Sequence, residues 1–370
     1  MTRATFLAAL AATASVLAPV APAQAAPTVV VGSQTISGGE HTFTERIVVT
    51  PGSTLTIEDA TIYLDQPRSC PIGGTVVVCN PHLFVMAGGT LVARNTTFDT
   101  HLPAGPLDPA SGYMIYTYSG RLDIEDSTII RANSVGGELR GPVPSRIVNS
   151  TIRDGVQAVS FIRGAEATIE GNTIVNTRFG IDIRDSDSVI KDNYIHVLGY
   201  GIDVQSTLVG EKIWSTRALV EGNIVENSIA GFYTLNGYGS VVRNNVFRGN
   251  GWAAVLGVNT GDRIVAPYEP IVFEGNTLEN NSNGVRAYAS VSGGQSEPIE
   301  LVVPARGNSI VGTACRSAQA SVPVNPNVTV VLDARLNWWG SAAGPQSNGP
   351  ECPATSGFAH VQPWLEAPPA

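Results

Sequence analysis

The chain has 370 residues, a formal net charge of −9, 14% charged residues and two lysines, Lys191 and Lys212. Such a surface lacks the clustered cations that neutralise a phosphate backbone, so nucleic acid is not an expected partner. The length exceeds what one conventional core supports, which leaves two domains or an elongated repeat.

Residues 1–25 carry the pattern of an export signal: Arg3, an apolar stretch from Ala4 to about Val20, then Ala23-Gln24-Ala25 as a small-x-small cleavage site. The stretch is short for a membrane span, and no second one is long enough. The expectation is a secreted, extracellular monomer without a membrane anchor. Residues 26–50 are expected to form an N-terminal cap and the first strands. The cysteines are Cys70, Cys79, Cys315 and Cys352. In an oxidising compartment the local pairs Cys70–Cys79 and Cys315–Cys352 are expected disulfides. Loop closure gives them about 3 and about 4 kcal/mol. The four lack the paired C-x-x-C spacing of a zinc site.

From residue 51 to 335 one phrase recurs: apolar-x-x-Asn-x-apolar, then a Gly and alternating apolar residues. Its marker position is held by Ala60, Thr96, Ser127, Ser150, Asn172, Asn193, Asn223, Asn245, Asn276 and Asn308. The steps between them are 36, 31, 23, 22, 21, 30, 22, 31 and 32 residues. The longer steps are the shorter ones with about 8–14 residues inserted. Two places after each marker stand Ile62, Phe98, Ile129, Ile152, Ile174, Ile195, Val225, Phe247, Leu278 and Ile310. Three before it stand Ile57, Ala93, Ile124, Ile147, Ile169, Ile190, Val220, Val242, Phe273 and Ala305, and five before it lies a further column from Leu55 to Val303. Offsets of −5 and −3 share one face of a strand, and +2 follows a break in alternation, so a turn lies near the marker. A helical period does not fit.

A repeat of about 22 residues holds three short strands and three turns, one coil of a parallel β-helix. Stacked coils bury what each exposes alone, and about ten to twelve of them, about 4.8 Å apart, form a rod capped at both ends. The marker asparagines from Asn172 to Asn308 are expected to form a ladder of amides along one turn. The fold class is thus all-β, a single-stranded right-handed parallel β-helix. On these residues the chain resembles the right-handed β-helix repeat family of the pectate-lyase-like superfamily, whose members include NosD-like and carbohydrate-binding proteins. The resemblance spans about residues 45–365. It is most specific at Asn337-Trp338-Trp339-Gly340-Ser341-Ala342-Ala343-Gly344-Pro345 and Pro363-Trp364-Leu365. Residues 336–370 are read as a C-terminal cap and tail, with Trp338, Trp339 and Trp364 closing the open core.

After the Gly of each coil comes a short strand. Its outward positions are expected to align as Gln157, Asp182, Asp203, Tyr233 and, further along, Arg286; a neighbouring column runs Val159, Arg184, Gln205, Leu235, Tyr288. Insertions at about 206–217, 258–270 and 289–298 follow this strand and should stand as walls beside it. Loops on a rigid scaffold carry binding sites, and a walled face on a rod suits a linear polymer.

Asp182 and Asp203 are expected on successive coils, their carboxylates about 5 Å apart, with a repulsion of about 3 kcal/mol at an effective dielectric near 20. Several arrangements offset it. Arg184 or Arg178 bridges the pair, or Arg184 simply joins a solvated charge ladder. A Ca²⁺ ion is bound by both carboxylates. Or one Asp keeps a raised pKa and acts as a general acid. Tyr200-Gly201-Ile202-Asp203 is similar to the Tyr-Gly-Phe-Asp-Pro-His phrase of β-helix alginate C5-epimerases and related lyases. That likeness implies proton transfer at a sugar C5 by Tyr200 beside Asp203. The place of the family's His is Gln205, which is neither proton donor nor base. His196 lies on the same coil, nearer the marker turn. Trp214, Tyr233, Trp252, Tyr268 and Tyr288 fall on or beside the walled strand and offer faces for sugar rings, although Trp252 could instead fill the core.

The expected catalytic residues are therefore Tyr200, Asp203, Asp182 and Arg184. The expected substrate-binding residues are Arg178, Gln205, Tyr233, Trp214 and Arg286, and the metal ligands would be Asp182 and Asp203. Three functions stay open: a protein that modifies extracellular polysaccharide, in the manner of a polyuronate lyase or epimerase; a non-catalytic glycan-binding surface module; and an adhesive or structural rod, or a NosD-like accessory.

Overall fold

The computed structural model describes residues 26–65, 82–103, 112–206, 208–209, 212–213, 216–260, 269–291, 298–321, 325–350 and 352–369. The leader at 1–25, the Cys70–Cys79 pair, Trp214 and Tyr268 lie outside the described residues.

Among the described residues the chain winds through three parallel sheets of 13, 13 and 11 strands, and no helix occurs. Neighbouring strands of a sheet come from successive coils, so each inner strand pairs with the strands one coil before and after it. The first three strands, Thr28–Val30, Ser33–Ser37 and Glu40–Phe43, already form a coil in register with the next. Eleven coils contribute to all three sheets, and two further partial coils end the rod. Strands Thr355–Ser356 and Ala359–His360 extend the first and second sheets into the expected C-terminal cap.

The two inner columns stack as expected. Ile62 to Ile310 pair residue by residue along the third sheet. Ile57 to Ala305 do the same along the second. Together with inward residues of the first sheet they make one continuous core. The turn between these sheets repeats a single device. The residue before each marker has positive φ and is Asp, Asn or Gly in ten coils, from Asp59 to Gly307. These types enter the left-handed region most easily. The marker side chain then points inward. Its amide oxygen accepts from the backbone N–H of the preceding marker, as in Asn172 N to Asn193 Oδ1 at 3.0 Å, and its Nδ2 donates to the next marker's Oδ1 at 2.9 Å. The ladder runs from Asn172 through Asn308 and one rung further, to Asn337 of the tryptophan motif.

Trp339 enters the core and Trp364 packs against it, its Nε1 donating to the Ala342 carbonyl at 3.1 Å. Cys315 and Cys352 are joined as a disulfide. At this end the rod is closed by indole rings and a tied loop, which shield core and strand edges that stacking leaves open.

Candidate functional site

The outward face of the first sheet carries the site. Strands Phe179–Arg184 and Tyr200–Gln205 pair so that Asp182 lies beside Asp203 and Arg184 beside Gln205. The following strands, Ala230–Leu235, Trp252–Thr260 and Asn283–Val291, continue the column as Tyr233, Val255 and Arg286. Before Asp182 the expected register fails: Ser160, not Gln157, pairs with Asp182, and Val159 faces Ile181 in the core. Gly155 sits in a turn, and Ala158 takes the place held by Gly180 in the next coil. That place demands a small residue: a Cβ on Gly180 would lie 2.1 Å from the Gly201 carbonyl oxygen. Gln157 still reaches the site from the strand's first position, donating to the Gly180 carbonyl at 2.7 Å.

The two aspartates differ sharply. Asp182 accepts from Arg184 Nε at 2.9 Å and from Ser160 Oγ at 3.4 Å. Its pKa is still raised, because burial outweighs the arginine. Asp203 is 8% exposed. Its Oδ2 accepts from Gln205 Nε2 at 2.7 Å, while Oδ1 is buried without a hydrogen-bond partner. Burial, and next the charge of Asp182, push its pKa up to about 7. Arg184 therefore pairs with Asp182 and does not bridge the two. Arg178 is exposed and lies 5.2 Å over the ring of Phe179. A calcium ion takes about six to eight oxygens, and no third His, Cys, Asp or Glu joins the two carboxylates among the described residues.

A cleft of about 220 Å³ opens above the pair, lined by Gln157, Phe179, Asp182, Arg184, Tyr200, Asp203 and Gln205 among others. Tyr200 faces Ala230 on the next coil, and the small side chain leaves room for its ring to stack on Tyr233, centroids 4.6 Å apart and planes within 3°. Tyr233 and Tyr288 share a hydroxyl–hydroxyl bond of 2.6 Å across the intervening coil. Gly257 permits this, since a Cβ there would lie 2.5 Å from the Tyr288 ring. Trp252 is half-buried on this face rather than in the core, 5.9 Å below the Arg286 guanidinium. Phe179 and Ser160 complete the site and were not among the expected residues. His196 faces elsewhere, on the third sheet beside Glu226. Of the expected walls, 206–217 begins as a hairpin pairing Leu208 with Ile213, and Trp252–Thr260 and Asn283–Val291 run on side by side to Thr260 and Val291.

Residues 143–296 match the family model described as right handed beta helix region. Residues 45–215 match that of periplasmic copper-binding protein (NosD). No curated protein matches the chain. The solved structure of the periplasmic alginate epimerase AlgG is similar over 88% of this chain and 78% of its own, at 14% identity and a TM-score of 0.54. A single-substitution mutant of AlgG gives 15% identity, the same coverage and a TM-score of 0.56. An exopolygalacturonase from Thermotoga maritima has 11% identity, covers 89% and 83% of the two chains, and has a TM-score of 0.40.

Proposed function

Taking the chain as what its coils and these matches make it, a right-handed parallel β-helix protein, we propose that it acts outside the cytoplasm on acidic polysaccharide, moving a proton at the C5 of a uronate ring. The carrying observation is Asp203: a cleft-lining carboxyl, 8% exposed, with one oxygen unpartnered and an aspartate as its neighbour. A pKa of about 7 leaves it about half protonated at neutrality and largely protonated below it. A neutral carboxylic acid donates a hydrogen bond to the sugar's own carboxylate, which lowers the cost of the carbanion formed when C5 loses its proton. Arg184 adds positive charge beside it; the Asp182 carboxylate, in the same cleft, takes the C5 proton, and the Tyr200 hydroxyl supplies the proton that C5 or the leaving oxygen receives. Arg178 and Gln205 are the polar groups at hand to orient the ring, and Tyr233 supplies an aromatic face.

Two lines support this reading from outside the chain. The AlgG structure that shares the fold is named a periplasmic alginate epimerase, and the NosD family is described as periplasmic. Among the described residues no three His, Cys, Asp or Glu side chains converge as ligands for the copper named in that description. A second reading is glycan binding without turnover, and the stacked tyrosines favour it. Incubation with polymannuronate, polyguluronate and polygalacturonate in D₂O separates the two. Deuterium at C5, an altered epimer ratio or an unsaturated end is expected, with turnover falling as pH rises through about 7 and Asp203 ionises. Retention on all three polymers with no exchange and no cleavage would leave the binding module.

A further inference from the structure

Arg286 stands apart from the chemistry. It occupies the same outward column as Asp203, three coils further along, through Tyr233 and Val255. At the usual strand spacing that is about 14 Å, about three ring-to-ring steps of a sugar chain, so that about four rings cover it. Its guanidinium lies between two rings, 5.9 Å from the Trp252 centroid and 5.5 Å from that of Tyr288. Its Nε donates to Ser321 Oγ at 2.9 Å, from the coil beyond. Among the described residues these are the hydrogen bond and ring contacts of its guanidinium, and none of the partners is acidic. Other arginines whose strands pair along the rod are matched: Arg94, Arg121 and Arg146 to Asp123, and Arg243 to Glu221. A half-buried cation held by Nε and two ring faces keeps its terminal nitrogens for a planar anion. On the coils between it and Asp203 stand Tyr233 and Val255, and Tyr288, beside Arg286 on the same strand, reaches back over Gly257 to bond the Tyr233 hydroxyl, so aromatic rings flank the path.

We infer that Arg286, bracketed by Trp252 and Tyr288, is a distal carboxylate-binding subsite that makes the protein select acidic chains long enough to run along the rod axis from Asp203 across about four sugar rings. This rests on the acidic-polysaccharide reading above and adds to it a direction, a minimum length and a charge requirement. Arg286 binds and does not react.

The test is calorimetric binding of uronate trimers and hexamers, with a neutral hexamer of the same linkage, to the wild type, Arg286→Gln and Asp203→Asn. Wild type is expected to bind the acidic hexamer at least about tenfold more tightly than the trimer, the strength of a charged hydrogen-bonded contact. Arg286→Gln loses that preference and keeps trimer affinity, with an unchanged melting profile showing that the fold persists. Asp203→Asn keeps the preference and loses turnover. An Arg286→Gln protein that still prefers the acidic hexamer overturns the subsite, whatever the outcome for catalysis. An equal preference for the neutral hexamer also overturns it, assigning the strip to stacking alone. Length selection that vanishes with Arg286, in a protein without turnover, upholds the subsite and removes the proposed chemistry. A wild type that binds no acidic oligomer removes both.

Discussion

Two outward faces of the same rod treat a buried aspartate in opposite ways. On the second sheet Asp333, 2% exposed, takes an ion pair from Arg306 and two bonds from Arg335, Nε at 2.8 Å and Nη2 at 2.7 Å. Those bonds hold its pKa well below the usual carboxylate range, against the opposing effect of burial. Asp123, on the same sheet, is met by Arg94, Arg121 and Arg146. On the first sheet Asp203 is as buried, yet it receives one amide, from Gln205, and another carboxylate as its neighbour. Stacking explains why the difference matters. A coil repeats its side chains about 4.8 Å apart. An amide row gains from that repeat because each Asn is both donor and acceptor, whereas a carboxylate row is repelled by it. Where the scaffold alone is concerned, arginines relieve the repulsion. Asp203 is left unrelieved, and an unsatisfied group of this kind points to a functional site.

The largest effect that would break this comparison is chemical. Asp203→Asn removes the proton and the charge but keeps the shape and a partner for Gln205. Polyuronate turnover is expected to fall by about 10²–10⁴-fold in initial-rate measurements. Asp333→Asn should leave turnover as it is. Equal losses from both would mean that the two carboxyls serve the fold alike.

The same substitution should stabilise the fold. In acid, Asp203 is protonated in both folded and unfolded chains, and Asn matches it. Between about pH 4 and about 7 the unfolded chain ionises while the folded one keeps its proton, so wild-type stability falls as pH rises and levels off above about 7. Asp203→Asn is expected to gain little near pH 4 and about 4 kcal/mol at pH 8, read from urea midpoints at both. A gain independent of pH would show that Asp203 is not held protonated.

Asp333→Asn has the opposite sign and a smaller size. Its folded pKa is depressed, so its contribution is fully present above about pH 4 and is lost as pH falls below that. Arg306 and Arg335 are 46% and 42% exposed, and solvent screens them. A loss of up to about 1 kcal/mol at pH 7 is expected, shrinking in acid. The urea midpoint of this variant at pH 7 and pH 3 checks both.

Much of this is legible in the amino-acid sequence. Apolar residues at −5, −3 and +2 from each marker must share one interior, so the register of the second and third sheets follows from spacing alone. So does the pairing of Asp182 with Asp203, because both lie at the same distance from a Gly. One coil earlier the same rule misplaced Gln157 and Val159, since the crowded position asks for a small side chain rather than for Gly, and Ala158 meets it. A second amide row, Ser228–Asn250–Asn281, repeats the ladder's bonds one turn further on, and its 22- and 31-residue steps stand in the sequence unread. What spacing could not decide is which carboxylate Arg184 would serve. It lies two residues from Asp182 and one strand from Asp203, and its side-chain conformation settles the choice.

The smallest expected effect concerns the one rung at which the amide ladder departs from its own rule. Ahead of Asn337 stands Leu336, at φ 59°, where the other ten coils have Asp, Asn or Gly. A branched side chain in that region costs about 1 kcal/mol or more. Leu336 is also 46% exposed, so removing its side chain sacrifices little burial. Leu336→Gly should raise stability by about 0.5–1 kcal/mol, less than the backbone penalty because glycine loses more freedom on folding. The denaturant midpoint reads it. A fall instead would mean that Leu336 shields the tryptophan-capped end. The last rung would then be held by packing, while the others are held by turn geometry and amide bonds.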